Sequence, residues 1–153
     1  MLKIGERAPE FTLPDHTGAD RSLTEFLGLG ALILFFYPAE FAGPAVALAT
    51  ALRDLYPAIE AAGLCVAGVS PQSPATHANF RARYRLPFVL LSDPIKTVVK
   101  MYGVNGPLGL GVRRATFLLD GGRRVRDVAR ADFRVHRLTE LVRKAILLRG
   151  GAA

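Results

Sequence analysis

The chain has 153 residues, half of them apolar, and a formal net charge of +7; it is long enough to bury one core and too hydrophobic to be disordered. Its longest purely apolar run, residues 31–37, is far short of the ~20 residues a membrane helix needs, and residues 1–7 lack the apolar stretch of a signal peptide. A single cytoplasmic domain spanning 1–153 is therefore expected, with no membrane contact, and the one cysteine, Cys65, rules out an internal disulfide.

In chain order, Ser22-x-x-Glu25 is a capping box that opens a short helix ending near Gly28 or Gly30. Residues 31–36 form an unbroken apolar run, the pattern of a strand buried on both faces. A long helix is expected over 45–61, after Pro44 and closed by Gly63. Residues 64–70 repeat the buried-strand pattern, with Cys65 inside it as a small buried hydrophobe. Ser73-Pro74 supplies an N-cap and first-turn proline for a helix through Tyr84, and Asp93-Pro94 for another through Tyr102, stopped by Gly103. Strands are expected at 88–91 and 115–119, then a turn at Asp120-Gly121-Gly122 and an alternating edge strand over 123–128. The last helix covers 135–149, with Leu138, Leu141, Val142, Ala145 and Leu148 on one face. Strands alternating with helices before a terminal hairpin imply a mixed α/β sheet flanked by helices, a thioredoxin-like architecture.

Charge is unevenly distributed. Residues 1–76 carry 4 Lys/Arg against 8 Asp/Glu, and residues 77–153 carry 16 against 5. Such asymmetry can mark an anionic partner, but aromatics do not interleave with the basic stretch from Arg113 to Arg149, which argues against a nucleic-acid surface. The three histidines, His16, His77 and His136, are widely spaced and form no metal-binding pattern; they read as turn, helix-surface and helix-start residues. Gly106-x-x-Gly109-x-Gly111 lacks the Lys-Ser/Thr pair and flanking strand of a phosphate loop and reads as a flexible loop delivering Arg113 and Arg114 to the next strand. No metal or cofactor is expected.

Several motifs in order carry a resemblance. Lys3-Ile4-Gly5-Glu6-Arg7-Ala8-Pro9-Glu10-Phe11-Thr12-Leu13-Pro14-Asp15 is followed by Leu34-Phe35-Phe36-Tyr37-Pro38, Gly68-Val69-Ser70, Leu91-Ser92-Asp93, Tyr102-Gly103-Val104 and Arg114-Ala115-Thr116-Phe117-Leu118-Leu119-Asp120. From about residue 2 to 148 the chain resembles the peroxiredoxin (AhpC/TSA) family, in its bacterioferritin comigratory or Q-type branch. The resemblance implies a peroxiredoxin-type thioredoxin sandwich and a site built as Pro-x-x-x-Thr-x-x-Cys plus a distant Arg. There a helix N-terminus and a cation lower the pKa of a thiol that attacks peroxide and becomes a sulfenic acid.

Mapped without gaps, the proline is Pro38 and the cation Arg114, but the Thr position is Ala42 and the peroxidatic position Ala45. The position five further on, where many Q-type members hold a resolving cysteine, is Thr50, and a first-turn Glu is replaced by Leu48. The resemblance therefore implies a family scaffold without an intact catalytic set, with a binding or interaction role. Arg114 with no thiolate to balance it is expected to meet a bound anion or Glu40 as internal partner, the alternative being an opened pocket in which Arg114 is simply hydrated. A homodimer through the apolar 38–52 edge is a further expectation, by the same resemblance. Two alternatives stay open: a residual thiol-dependent peroxidase using Cys65, and an anion or nucleic-acid binder using the Arg-rich C-terminal half.

Overall fold

Strand β3 (Leu32–Phe36) is the middle of a five-stranded sheet, and all five of its residues are buried. The computed structural model describes residues 1–39, 43–130 and 135–151. β3 pairs in parallel with β4 (Cys65–Ser70), which pairs in parallel with β5 (Val89–Ser92). On its other side β3 pairs antiparallel with β6 (Ala115–Leu119), and β6 with β7 (Val125–Ala129) at the edge. A separate hairpin, β1 (Thr12–Pro14) with β2 (Asp20–Ser22), lies against β5 through an Asp15–Leu91 bridge.

Alternation along β3 divides the core into two layers. Leu32, Leu34 and Phe36 face a layer shared with Phe11, Leu23, Phe26, Val98 and Tyr102, from the N-terminal segment, α1 (Leu23–Leu27) and α4 (Thr97–Met101). Ile33, Phe35 and Tyr37 face the opposite layer, built by α2 (Gly43–Ala61), α3 (Pro74–Tyr84) and α5 (Val135–Gly151). A helix layer on each face is why the strand carries no polar alternation. The mixed sheet with helices on both sides is the expected α/β, thioredoxin-like class.

Close packing of the second layer depends on Gly68. A Cβ there would stand 2.5 Å from Cζ of Phe35 and 2.9 Å from Cδ2 of Leu90. Phe35 is held in turn by Tyr37, stacked at 5.5 Å, and by Phe88, edge-on at 5.6 Å. Gly68→Ala is expected to destabilise the fold by about 1–3 kcal/mol, read as a lower denaturation midpoint in urea. An unchanged midpoint would mean that the Phe35 ring can move aside freely.

Helix ends follow the sequence cues with two corrections. Ser22 caps α1 through its hydroxyl on the Glu25 N–H, and Ser73 caps α3 through the Thr76 N–H. The long helix starts at Gly43 and closes through Gly63 at φ +75°, with Leu64 N–H bonded back to Ile59 O. Asp93-Pro94, however, form a turn rather than a helix start: α4 begins only at Thr97, and the Asp93 carboxylate reaches on to accept the Val99 N–H at 2.8 Å. The β1–β2 hairpin was not anticipated. The 106–111 loop, expected to be flexible, is closed by a Gly106 N–H to Gly111 O bond and an Asn105–Val112 bridge.

Most of the Arg residues with described hydrogen bonds hold backbone. Arg53 donates to Tyr84 O, Arg81 to Phe88 O, Arg123 to Ala8 O, Arg124 to Gly5 O and Arg137 to Val128 O. The basic character of the C-terminal half therefore has structural uses of its own. Among the described residues, no helix is long and apolar enough to cross a membrane.

Candidate functional site

The parallel strands β3, β4 and β5 all finish at one end of the sheet, and antiparallel β6 begins there. Tyr37, Pro38, Ser70, Ser92 and Arg114 are thereby gathered, with the N-terminus of α2 beginning at the same end. Because Phe36 pairs with Ala115, Arg114 stands opposite Tyr37 one position beyond the ladder. The topology thus brings Arg114, distant in sequence, to the end of the sheet where Pro38 and the start of α2 lie. Pro38 and Arg114 are half-buried, and Ala45 is 2% exposed in the α2-side core. Glu40 and Ala42 lie outside the described residues.

The electrostatics there favour negative charge. The first turn of α2 leaves N–H groups without intrahelical acceptors, and its 19 residues sustain a dipole positive at that end. Arg114 adds a full cation, and its Nε is shielded from solvent without a hydrogen-bond partner. Two residues on, Thr116 is fully buried and its Oγ1 also lacks a partner. Leu48 is buried and apolar, so it offers Arg114 no carboxylate. Thr50 turns its hydroxyl back onto its own helix, donating to Val46 O at 2.7 Å. Neither Ala45 nor Thr50 offers a thiol.

The sole thiol sits elsewhere. Cys65 is the first residue of β4, not a mid-strand one, and so lies at the opposite end of the sheet; it is half-buried rather than buried. Burial pushes its thiol above the usual range, and Arg21 offsets this only in part. Its only described hydrogen-bonding contact is a long one, 3.8 Å, to Phe26 O.

His77, expected on a helix surface, is completely buried. Its Nε2 lies 3.0 Å from Leu91 O, which can only accept, so Nε2 carries the proton and Nδ1 faces the Tyr37 hydroxyl at 3.4 Å. This pair ties α3 to the end of β3 next to Pro38. His16, in the β1–β2 turn as expected, is pushed below the ordinary imidazole range by burial first and then by Arg81. The structure brings His16 and His77 near enough to influence each other, although no group of three metal-ligating side chains occurs among the described residues. The side chain of His136 lies outside the described residues.

Sequence reasoning overlooked Thr116. A signal was present, since Thr116 is the one polar residue in the buried run 115–119.

Comparison with known proteins decides the family. The AhpC/TSA family profile matches residues 4–128. The chain belongs to that family. A Coxiella burnetii protein named as a peroxiredoxin, bcp, is 38% identical to this peroxiredoxin homologue over 125 residues, 78% of this chain and 82% of that protein. Chloroplastic peroxiredoxin Q of Triticum aestivum is 41% identical over 117 residues; the match takes in 76% of this chain but spans only about half, 54%, of the plant protein. The crystal structure of peroxidoxin BcpB from Mycobacterium tuberculosis superimposes with a TM-score of 0.89 at 32% identity, covering 97% of this chain and 98% of that one. Xanthomonas campestris peroxiredoxin Q follows at 0.80 and 26% identity, with 90% of each covered. The peroxiredoxin relationship therefore extends over sequence and fold together.

Proposed function

We propose that this peroxiredoxin homologue is a peroxidase-inactive scaffold with a binding or interaction role. One observation carries the reading: no thiol stands at the N-terminus of α2. The family chemistry requires a thiolate there, stabilised by the helix end and a cation. This chain retains the helix end and Arg114, but position 45 is Ala. Cys65 is a poor substitute, because it lies at the far end of the sheet and burial holds its thiol protonated. Support for a binding role comes from the surviving positive, partly enclosed end of the sheet and from exposed apolar side chains on the loops around it, Ile95, Leu108 and Leu110. A homodimer across the 38–52 edge belongs to this reading, as does a cytoplasmic setting.

The decisive experiment incubates the purified protein with hydrogen peroxide and a dithiol. No turnover above the protein-free rate is expected, and the Cys65→Ser variant should behave identically. Turnover that disappears in Cys65→Ser would replace this reading with a Cys65 peroxidase. Light scattering over a hundredfold dilution series tests the dimer, and a monomer throughout would remove it.

A further inference from the structure

We infer that the groove between the N-terminal segment and α5, at the β7 edge of the sheet, binds a small amphipathic anion: a carboxylate on a short alkyl chain. The groove has a volume of about 350 Å³ and is lined by Ile4, Gly5, Val125, Arg126 and Lys144. That volume lies near the lower end of the range for small-molecule sites. β6 runs away from Arg114, and Val125 stands opposite Leu119 at its far end. The groove is therefore at the other end of the sheet from Arg114, and the inference does not depend on the preceding reading.

Backbone pairing builds the walls. The N-terminal segment crosses the start of β7: Gly5 N–H donates to Val125 O at 2.8 Å, Val125 N–H to Glu6 O at 2.9 Å and Ala8 N–H to Arg123 O at 2.7 Å. Arg7 and Arg124 are direct partners in the same antiparallel pairing, so two like charges stand opposite each other across the edge. The Arg124 guanidinium also donates to Gly5 O at 3.4 Å, which brings it to the groove wall. On β7, Val125 pairs with Leu119 and Asp127 with Leu118, so Arg126 is the extra, bulged residue, and it lines the groove.

The cations here outnumber the carboxylates that reach them. Asp120 binds Arg126 at 3.1 Å, Asp127 is held by Arg137, and Glu6 accepts the Lys3 N–H. Among the described residues no carboxylate forms an ion pair with Arg7, Arg124 or Lys144. Like charges directly opposite each other repel, and an anion beside them turns that repulsion into attraction. The walls decide what carries the anion. Ile4 is 62% exposed, Val125 belongs to the core, and the stems of Arg126 and Lys144 are aliphatic. A bare phosphate or sulfate gains nothing from such walls, whereas an alkyl chain does. An acidic peptide added as a further strand finds no free backbone partners at Val125 or Val128. Gly5 and Glu6 occupy the first, Asp127 and Arg137 the second.

Hexanoate is the probe, titrated to about 30 mM at constant ionic strength and followed by two-dimensional NMR. Saturable shifts are expected at the backbone amides of Gly5, Arg126 and Lys144, with half-saturation in the low millimolar range. Acetate has the charge without the chain, and hexanol the chain without the charge. Each should bind at least about fivefold more weakly than hexanoate. Arg124→Gln and Lys144→Gln should each weaken hexanoate binding by about threefold to fivefold. Lys144 is an exposed helix position, so its variant keeps the test available should Arg124→Gln fold poorly. The inference is overturned if no saturable shift appears at these amides, if acetate or hexanol binds as well as hexanoate, or if both Gln variants respond as the native chain does. Flotation with phosphatidylglycerol vesicles is run alongside, and no capture is expected. Capture by vesicles without a response to hexanoate would assign these cations to a lipid surface and overturn the inference as well.

Discussion

With Cys65 replaced by Ser, the thiol introduced by Ala45→Cys is expected to react with iodoacetamide at pH 7 at least about ten times faster than Cys65 does in the native chain. Two causes act in the same direction. The N-terminus of α2 and the Arg114 guanidinium both favour a thiolate at position 45, whereas burial disfavours one at Cys65. Each unit of pKa difference near neutrality changes the thiolate fraction about tenfold. Alkylation followed by intact-mass spectrometry reads the rate directly. A thiol at 45 that reacts no faster than Cys65 would show that burial of that position, where Ala45 is 2% exposed, outweighs Arg114 and the helix end. Peroxide turnover by this variant should remain low, because Ala42 and Leu48 still replace the family's Thr and Glu.

Arg137→Leu is expected to cost about 2 kcal/mol of stability and to promote self-association. β7 is the edge strand, and its outward-facing backbone groups would otherwise be open to another chain. Val125 is occupied by Gly5 and Glu6 of the N-terminal segment. Val128 N–H donates to the Asp127 carboxylate at 2.9 Å, and Val128 O accepts from Arg137 Nη2 at 3.1 Å. The same guanidinium grips Asp127 at 2.9 and 3.2 Å. Removing it leaves the enclosed carboxylate of Asp127 without its cation and the edge carbonyl bare. Urea denaturation and light scattering measure the two consequences.

The pH dependence of this pair has a definite sign. Burial alone would raise the pKa of Asp127; the hydrogen bonds from Arg137 and Val128, with the charges of Arg137 and Lys144, more than offset it and hold it below the ordinary carboxylate value. A depressed folded-state pKa contributes stability above the unfolded value of about 3.9, and that contribution is lost as pH falls through the folded value. The stability difference between the native chain and Arg137→Leu should therefore be full at pH 7 and shrink below about pH 4. A difference that does not change between pH 7 and pH 3 would exclude the ion pair as its source.

How much was legible varied with the range of the interaction. β3 and β4 were evident from unbroken apolar runs, because strands covered on both faces bury all of their residues but the half-buried Cys65 at the start of β4. The caps Ser22 and Ser73 were evident because each acts within three residues. By contrast, β1 and β2 have three residues each, too few for a period to register, and they are held by the Asp15–Leu91 bridge to a strand far along the chain. His77 was misread as a surface residue although it lies three positions before the buried Phe80, on the same helical face. Its burial depends on Leu91 O and the Tyr37 hydroxyl, partners from two other strands.

Covalent identity belongs to the sequence alone: one thiol, at Cys65, and an alanine where the family motif places its nucleophile. Local patterning likewise determined the order of the main strands and helices. Only the tertiary structure decided that Cys65 lies at the far end of the sheet, and that Arg114 and Thr116 keep unpaired donors on the face covered by α2. The reason is register. The pairing of Phe36 with Ala115 joins segments almost eighty residues apart, and a shift of one residue would turn every β6 side chain to the opposite face.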